Sequence, residues 1–426
     1  MKKISFKYLL LALINILFFG RNGFTQGYST VIDSFYVQTP EYSSSLGLDS
    51  LFFPCAITTP ENGLDFPVVI LVHGTSALDY DANSTKDYLD SVGASYRKAE
   101  TAMFYEIADS LSRNGIMVLR YDKRSFTLNC IEKPPCWSVD TISPYDYIKD
   151  IHYAVDFAKN LPSVDTCNIF LAGHSQGGSF VSQVGYDRSD IRGVLNMAGT
   201  AQPIDSVAIY QEEFINGNPT NAETLRHQFD SLRMGLWPMS DTLSNSHFSP
   251  RFWLDWISHT DSAVFVQKNS DKPTALMYGT ADRFVPSNTH YQIWLDSITR
   301  PDVTYQLFTD IDHSFGTEYD STMSPQVLSF MANWIHSTKT NCSPSDLPEL
   351  EDISDLTIYP NPASNVINIK LNKSGRNEFQ VLDLMGSIIH KGELKGKESY
   401  KLNINSLKKG VYIIRMASSV IKFVKE

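Results

Sequence analysis

Ser175 lies in the stretch LAGHSQGGSF, Leu171 to Phe180, with Gly173 and Gly177 two positions either side of it. An apolar run precedes it and small residues follow. The pattern fits a strand that turns sharply into a helix, where a flanking side chain larger than hydrogen would collide. The serine would then sit at the tip of the turn in a strained backbone conformation, its hydroxyl exposed. A serine hydroxyl is a weak nucleophile at neutral pH. To attack a carbonyl it needs a base, a group that orients the base, and donors for the oxyanion that forms.

Ten histidines are available for the base. His313 is the candidate, because it follows the apolar run Val303–Phe308 by a short loop, TDIDHSFG, whose Ser314 and Gly316 leave the backbone free to present a ring. His290 and His336 fall in helical-looking stretches and read as surface or packing residues. The orienting acid should end the preceding strand, and TALMYGTADRFVP supplies Asp282 just past a turn. A carboxylate there can hold one imidazole nitrogen, fix its tautomer and stabilise the imidazolium. Asp310 and Asp312 stand so close to His313 that they read as shaping its loop. One oxyanion donor is the amide of Gln176, the residue after the nucleophile. The other falls in HGTSALDYD after Val72, at Thr75 or Ser76, with Thr75 preferred; His73 reads as a structural imidazole ordering that loop.

These residues need a platform that brings distant segments together. Phe66–Val72 is a continuous apolar run suited to a strand buried on both faces, and Ile116–Leu119, Asn168–Ala172, Val194–Met197, Ala275–Tyr278 and Val303–Phe308 are similar. Ile148, Ile151, Val155 and Ala158 recur at helical spacing between two of them. Buried strands alternating with helices predict an α/β domain: a mostly parallel, doubly wound sheet covered on both faces. From about 203 to 271 the pattern becomes helical, which predicts a cap inserted over the strand ends. Of its aromatics, Trp237 and Trp253 are the candidates to bind substrate.

The ends of the chain differ in composition from its middle. Lys2, Lys3 and Lys7 precede the apolar run Tyr8–Phe19, with small residues Gly23 and Thr25 beyond, so residues 1–25 read as a cleaved signal peptide. Of five cysteines, Cys130 and Cys136 flank a short loop and are the expected bridge, while Cys167 reads as a buried thiol. No Cys/His cluster has metal-ligand spacing, and neither a metal nor a cofactor is expected. The net charge of −11 divides into +4 over residues 1–25, −22 over residues 26–355 and +7 over residues 356–426. An acidic body argues against nucleic acid or an anionic membrane as partner. SPSDLPELEDISD closes a linker over 338–355. Beyond it, VINIKL, EFQVLDL and GVYIIRM are short strands of a small antiparallel β-sandwich over 356–426.

The combination of VILVHGTSALDYD, GIMVLRYDKRSF and LAGHSQGG resembles the α/β-hydrolase superfamily from about Asp49 to Ser337, close to its dienelactone-hydrolase and serine-aminopeptidase branches. The resemblance implies an α/β-hydrolase fold over 26–337, a Ser175–Asp282–His313 triad and an acyl-enzyme intermediate. Relatives often carry Gly where Ser125 follows YDKR. In that motif Asp122 and Arg124 are expected to form a structural ion pair. The tail, with YPNPAS, DLMGSII, LKKGVYIIR and a terminal IKFVKE in that order, resembles the C-terminal sorting domain of the bacterial type IX secretion system. That implies export across the outer membrane, with the secretion machinery as a partner. The expected protein is a secreted or cell-surface serine hydrolase of carboxylic esters. The alternatives are a peptidase of the same fold, for which Glu212 or Glu213 could receive an amino terminus, and a surface binding protein on a hydrolase scaffold.

Overall fold

The computed structural model describes residues 26–39, 50–76, 78–82, 102–128, 142–244, 246, 248–317, 322–341, 356–371, 376–382, 388–395, 399–416 and 419–426. The expected signal peptide, the Cys130–Cys136 bridge and most of the expected linker lie outside the described residues. The chain divides into two compact units, Met1–Asn341 and Cys342–Glu426.

The first unit is built on an eight-stranded sheet of order β1-β2-β4-β3-β5-β6-β7-β8. Strands β1 (Tyr28–Gln38) and β2 (Ser50–Pro60) pair antiparallel, and β2 joins β4 (Met117–Tyr121) antiparallel. From β4 onward every pairing is parallel, through β3 (Phe66–Val72), β5 (Val164–His174), β6 (Gly193–Met197), β7 (Thr274–Gly279) and β8 (Val303–Phe308).

β3 shows why its sequence folds this way. All seven of its residues are buried. Successive strand side chains point to opposite faces, so Val68, Ile70 and Val72 enter one core while Val69 and Leu71 enter the other. The first core is covered by α3 (Pro144–Ala158) and α4 (Gln176–Asp187). The second is covered by α1 (Met103–Arg113) and α10 (Pro325–Thr338). An uninterrupted apolar run is what such a strand requires. α3 is fixed at its start by a capping box: Tyr145 N–H donates to the Ser143 hydroxyl, and the Asp146 carboxylate accepts from Ser143 N–H, with Pro144 in the first turn. Its stripe Ile148, Ile151, Val155 and Ala158 is buried against the sheet.

Short α2 (Arg124–Thr127) follows β4. Between β6 and β7 the chain forms α5 (Ile204–Tyr210), a π-helical turn (Gln211–Ile215), α6 (Pro219–Arg233), α7 (Pro250–Asp261) and α8 (Ala263–Asn269). α9 (Ser287–Ser297) joins β7 to β8. Among the described residues no helix is long and apolar enough to cross a membrane.

The second unit holds β9 (Leu356–Tyr359), β10 (Val366–Leu371), β11 (Arg376–Leu382), β12 (Ile388–Lys395), β13 (Ser399–Asn403), β14 (Gly410–Met416) and β15 (Ser419–Lys425). They form two antiparallel sheets of order β13-β10-β9 and β12-β11-β14-β15. Alternate residues of β10, β11 and β14 point inward. Ile367 and Ile369 from one sheet meet Phe379, Val381, Tyr412 and Ile414 from the other in one shared core.

Candidate active site

β5 ends at His174, Ser175 forms the turn, and α4 begins at Gln176. Ser175 has φ 54° and ψ −116°, in the left-handed half of conformational space that a non-glycine residue rarely adopts. The turn is held by Ser175 N–H donating to the Met197 carbonyl at 2.8 Å and Gly178 N–H donating to the Ser175 carbonyl at 2.9 Å. A Cβ at Gly173 would collide with the Gly177 carbonyl, and one at Gly177 would collide with the carbonyls of Val72 and His73. The two glycines therefore let the strand, the helix and the loop after β3 touch backbone to backbone.

β7 and β8 are neighbours in the sheet, so the loops that leave them converge. Asp282 Oδ2 lies 2.8 Å from His313 Nδ1. The other Asp282 oxygen accepts from the amides of Phe284 at 2.8 Å and Val285 at 2.9 Å. Burial alone would raise the Asp282 carboxyl, but the His313 charge and hydrogen bond, with those two amides, outweigh it and hold the pKa below its ordinary 3.8. Asp312 accepts from the Ser314 amide at 2.9 Å, shaping the histidine loop from within. His174 braces the same loop from the strand: its Nε2–H donates to the His313 carbonyl at 2.8 Å. Burial lowers its pKa to about 3, so it stands neutral. Nothing in the GHSQG pattern marks it for this task.

Ser175 and His313 line one pocket of about 440 Å³ with Gly74, Thr75, Ser76 and Gln176. Gln176 opens α4, so its amide has no intrahelical acceptor. The Thr75 N–H donates to no group among the described residues. His73 is turned away from the pocket: it bonds the Tyr121 carbonyl through Nε2 at 2.6 Å and stacks on Phe104.

Most of the rest of the wall is apolar, with His174, Thr200, Gln211 and Ser314 its polar members. Ile204, Val207 and Ala208 come from α5, Phe248, Trp253 and Trp256 from the segment ending in α7, and Phe284 and Val285 from the loop after β7. Trp253 thus faces the pocket. Trp237 does not: it packs on the core beside α6, and its indole N–H donates to the Asp241 carbonyl at 2.7 Å. Phe248 and Phe284 take part where the sequence offered no sign that they would.

Two structural expectations need correction. Asp122 and Arg124 do not pair. The Asp122 carboxylate accepts from Tyr80 N–H at 2.8 Å, while Arg124, fully buried, donates from Nε to Asp150 at 2.9 Å and lies 3.6 Å from Asp146. Arg124 starts a helix two residues past Asp122, and side chains at that spacing face apart. Cys167 is no buried thiol: it stands half-exposed in the first half of β5 and is held in a disulfide, whereas Cys55 is buried and free. Among the described residues no group of three His, Cys, Asp or Glu side chains could hold a metal ion.

A mostly parallel sheet covered by helices on both faces, with a strained serine where a strand turns into a helix, is the architecture of the α/β hydrolases. Residues 97–320, more than half of the chain, match the serine aminopeptidase S33 family, and the chain belongs to that family. Residues 357–426 match the secretion system C-terminal sorting domain. Esterase EstD of Thermotoga maritima is 28% identical over 265 residues, which cover 61% of this chain and 57% of that protein. The chain thus spans little more than half the length of this curated relative. Solved structures resembling it include 2,6-dihydroxy-pseudo-oxynicotine hydrolase, at 16% identity and TM-score 0.45, covering 72% of this chain and 68% of that one. Another is the esterase domain of a Rhodothermus marinus protein, at 14% identity and TM-score 0.43, covering 73% and 99%.

Proposed function

We propose that this chain is a secreted serine hydrolase that cleaves carboxylic esters through an acyl-enzyme. Ser175 is the nucleophile, His313 the base, Asp282 the acid that orients it, and the amides of Gln176 and Thr75 the oxyanion donors. The observation that carries this reading is that Ser175 and His313 line one pocket, with His313 bonded to buried Asp282.

His313 Nε2 takes the Ser175 proton as Oγ bonds to the ester carbonyl carbon, and the carbonyl electrons move onto an oxygen facing the two amides. Collapse breaks the carbon–alcohol bond, and the departing alkoxide receives the proton from His313. Water then repeats the sequence against the acyl-enzyme and releases the acid. Asp282, held below its ordinary pKa, stays charged and stabilises the imidazolium in both halves.

An aminopeptidase reading draws support from the family the chain belongs to. Such an enzyme needs a negative group to receive the substrate's amino terminus. No carboxylate lines the pocket among the described residues. Glu212 accepts from the Asn216 amide at 2.7 Å, and Glu213 lies 3.8 Å from Arg226; neither reaches the wall. A wall of Val207, Phe248, Trp253 and Phe284 suits an uncharged acyl group, and the name of the Thermotoga relative, an esterase, points the same way. The intact set of candidate catalytic groups disfavours a purely binding role. The sorting-domain match supports export through the type IX machinery, with release or attachment at the cell surface.

A panel of p-nitrophenyl acetate, butyrate and octanoate against aminoacyl-nitroanilides tests the substrate class. Turnover of esters at least about a hundredfold above the anilides is the expected outcome. Preference for the anilides would replace the esterase reading with the peptidase one.

A further inference from the structure

Lys123 is 5% exposed, and no carboxylate pairs with it among the described residues. Asp150 borders the same small cavity, but its carboxylate is taken by Arg124. The lysine side chain lies over the ring of Tyr147 at 4.6 Å. Burying an amine in this way costs stability, and an apolar residue of similar length would pack without that cost. Such a residue calls for a role beyond packing.

Its hydrogen bonds suggest one. Nζ donates to the Gly74 carbonyl and, at 2.8 Å, to Gln176 Oε1. Gly74 O and Thr75 N–H belong to one planar trans peptide and point in opposite directions. A grip on that oxygen therefore aims the Thr75 N–H away from the lysine, and a hydrogen bond at the carbonyl also polarises the N–H on the far side. The same nitrogen holds the side chain of Gln176, whose backbone amide is the other donor. Neighbouring residues reinforce the loop at every second position. Ser125 Oγ donates to the Ser76 carbonyl at 3.2 Å, Lys123 N–H to the Leu78 carbonyl at 2.9 Å, and the Asp122 carboxylate accepts from Tyr80 N–H. Ser125, where relatives often carry glycine, is thus one of these ties.

We propose that Lys123 is a positioning residue for the oxyanion site, locking the Gly74–Thr75 peptide and Gln176 in one register so that their two amides converge. This rests on the reading of Ser175 as nucleophile. Burial brings the Lys123 pKa down to about 7, and the side chain keeps N–H donors for both acceptors in either protonation state.

The test is steady-state hydrolysis of p-nitrophenyl butyrate by the full chain, by Lys123→Met, by Gln176→Leu and by the double variant, with melting temperatures alongside. Lys123→Met should lower kcat about thirtyfold or more and leave KM within about threefold, since donors that act on the transition state affect kcat. Gln176→Leu keeps the backbone amide and should lower kcat about threefold to tenfold. The double variant should be no slower than Lys123→Met by more than about twofold, because the two side chains act through one contact. A kcat for Lys123→Met within threefold of the parent, or a rise in KM alone, would overturn the proposal. If that variant does not fold, an unchanged kcat in Gln176→Leu overturns it. A parent chain that turns over no ester fails the underlying reading, and this inference with it, before any variant is compared.

Discussion

The carboxylate of Asp282 meets Nδ1 of His313 at 2.8 Å across 31 residues of sequence, with Asp282 buried and His313 at the wall of the pocket. Its second oxygen is committed to the amides of Phe284 and Val285, so the carboxylate cannot rotate away from the ring. Asp282→Asn keeps the shape, removes the charge and invites the wrong tautomer. The expected outcome is a kcat for p-nitrophenyl butyrate lower by about a thousandfold or more with KM little changed. A variant within tenfold of the parent would assign the orienting role elsewhere.

Gly177 is where three backbones meet. An alanine there would press its Cβ into the carbonyls of Val72, which β3 holds in the sheet, and of His73 just beyond it. Gly177→Ala is expected to cost about 2–4 kcal/mol of unfolding free energy and to lose ester turnover, read by urea denaturation and a p-nitrophenyl assay. A fully stable, fully active variant would show that the turn tolerates more than its geometry allows.

On the proposed reading, the apolar wall should set the acyl preference. Trp253→Ala enlarges the pocket and removes a large apolar contact, worth about 1–3 kcal/mol to an acyl chain that touches it. KM for p-nitrophenyl octanoate should rise more than tenfold while that for the acetate stays within about threefold. Trp237→Ala, lying outside the wall, should change neither KM by more than about twofold.

The serine turn was legible because the glycines two positions either side of Ser175 follow an apolar strand-like run, and the strands were legible because a run such as Phe66–Val72 suits burial on both faces. Asp282 and His313 could be singled out because each follows a strand, and adjacent strands bring their ends together. What stayed hidden depends on partners remote in sequence. Arg124 stands two residues from Asp122, yet its carboxylate comes from Asp150 on another helix. Aromatic content marks the segment between β6 and β7, but whether Trp237 or Phe248 turns toward the pocket is decided by how α6 and α7 pack. Nothing in YDKR singles out Lys123, and only its burial beside Gly74 and Gln176 reveals its contacts.

Acid should unfold this protein in a recognisable way. Burial lowers His73 and His174 to about 3 and His259 and His290 to about 4, from an ordinary 6.5. The unfolded chain therefore takes up these protons first. Their stabilising effect is complete above pH 6.5 and is lost as the pH falls through 4 for His259 and His290 and on toward 3 for His73 and His174. Asp122 and Asp150, raised to about 6 by burial, act the other way between 3.8 and 6 and offset part of it. With about two more protons on the unfolded chain near pH 5, stability should fall by about 2–3 kcal/mol per pH unit there. Urea unfolding at pH 7, 6 and 5 reads this directly, and a flat or rising profile toward acid would contradict it.

The claim at the centre is that Ser175 is a nucleophile activated by His313. Peptide mass spectrometry after treating the folded chain with a fluorophosphonate measures it most directly. The adduct is expected on the peptide carrying Ser175, at a rate reduced about a thousandfold or more in His313→Ala and absent in Ser175→Ala. An adduct on another serine, or none on a chain that is folded by circular dichroism, would contradict the account.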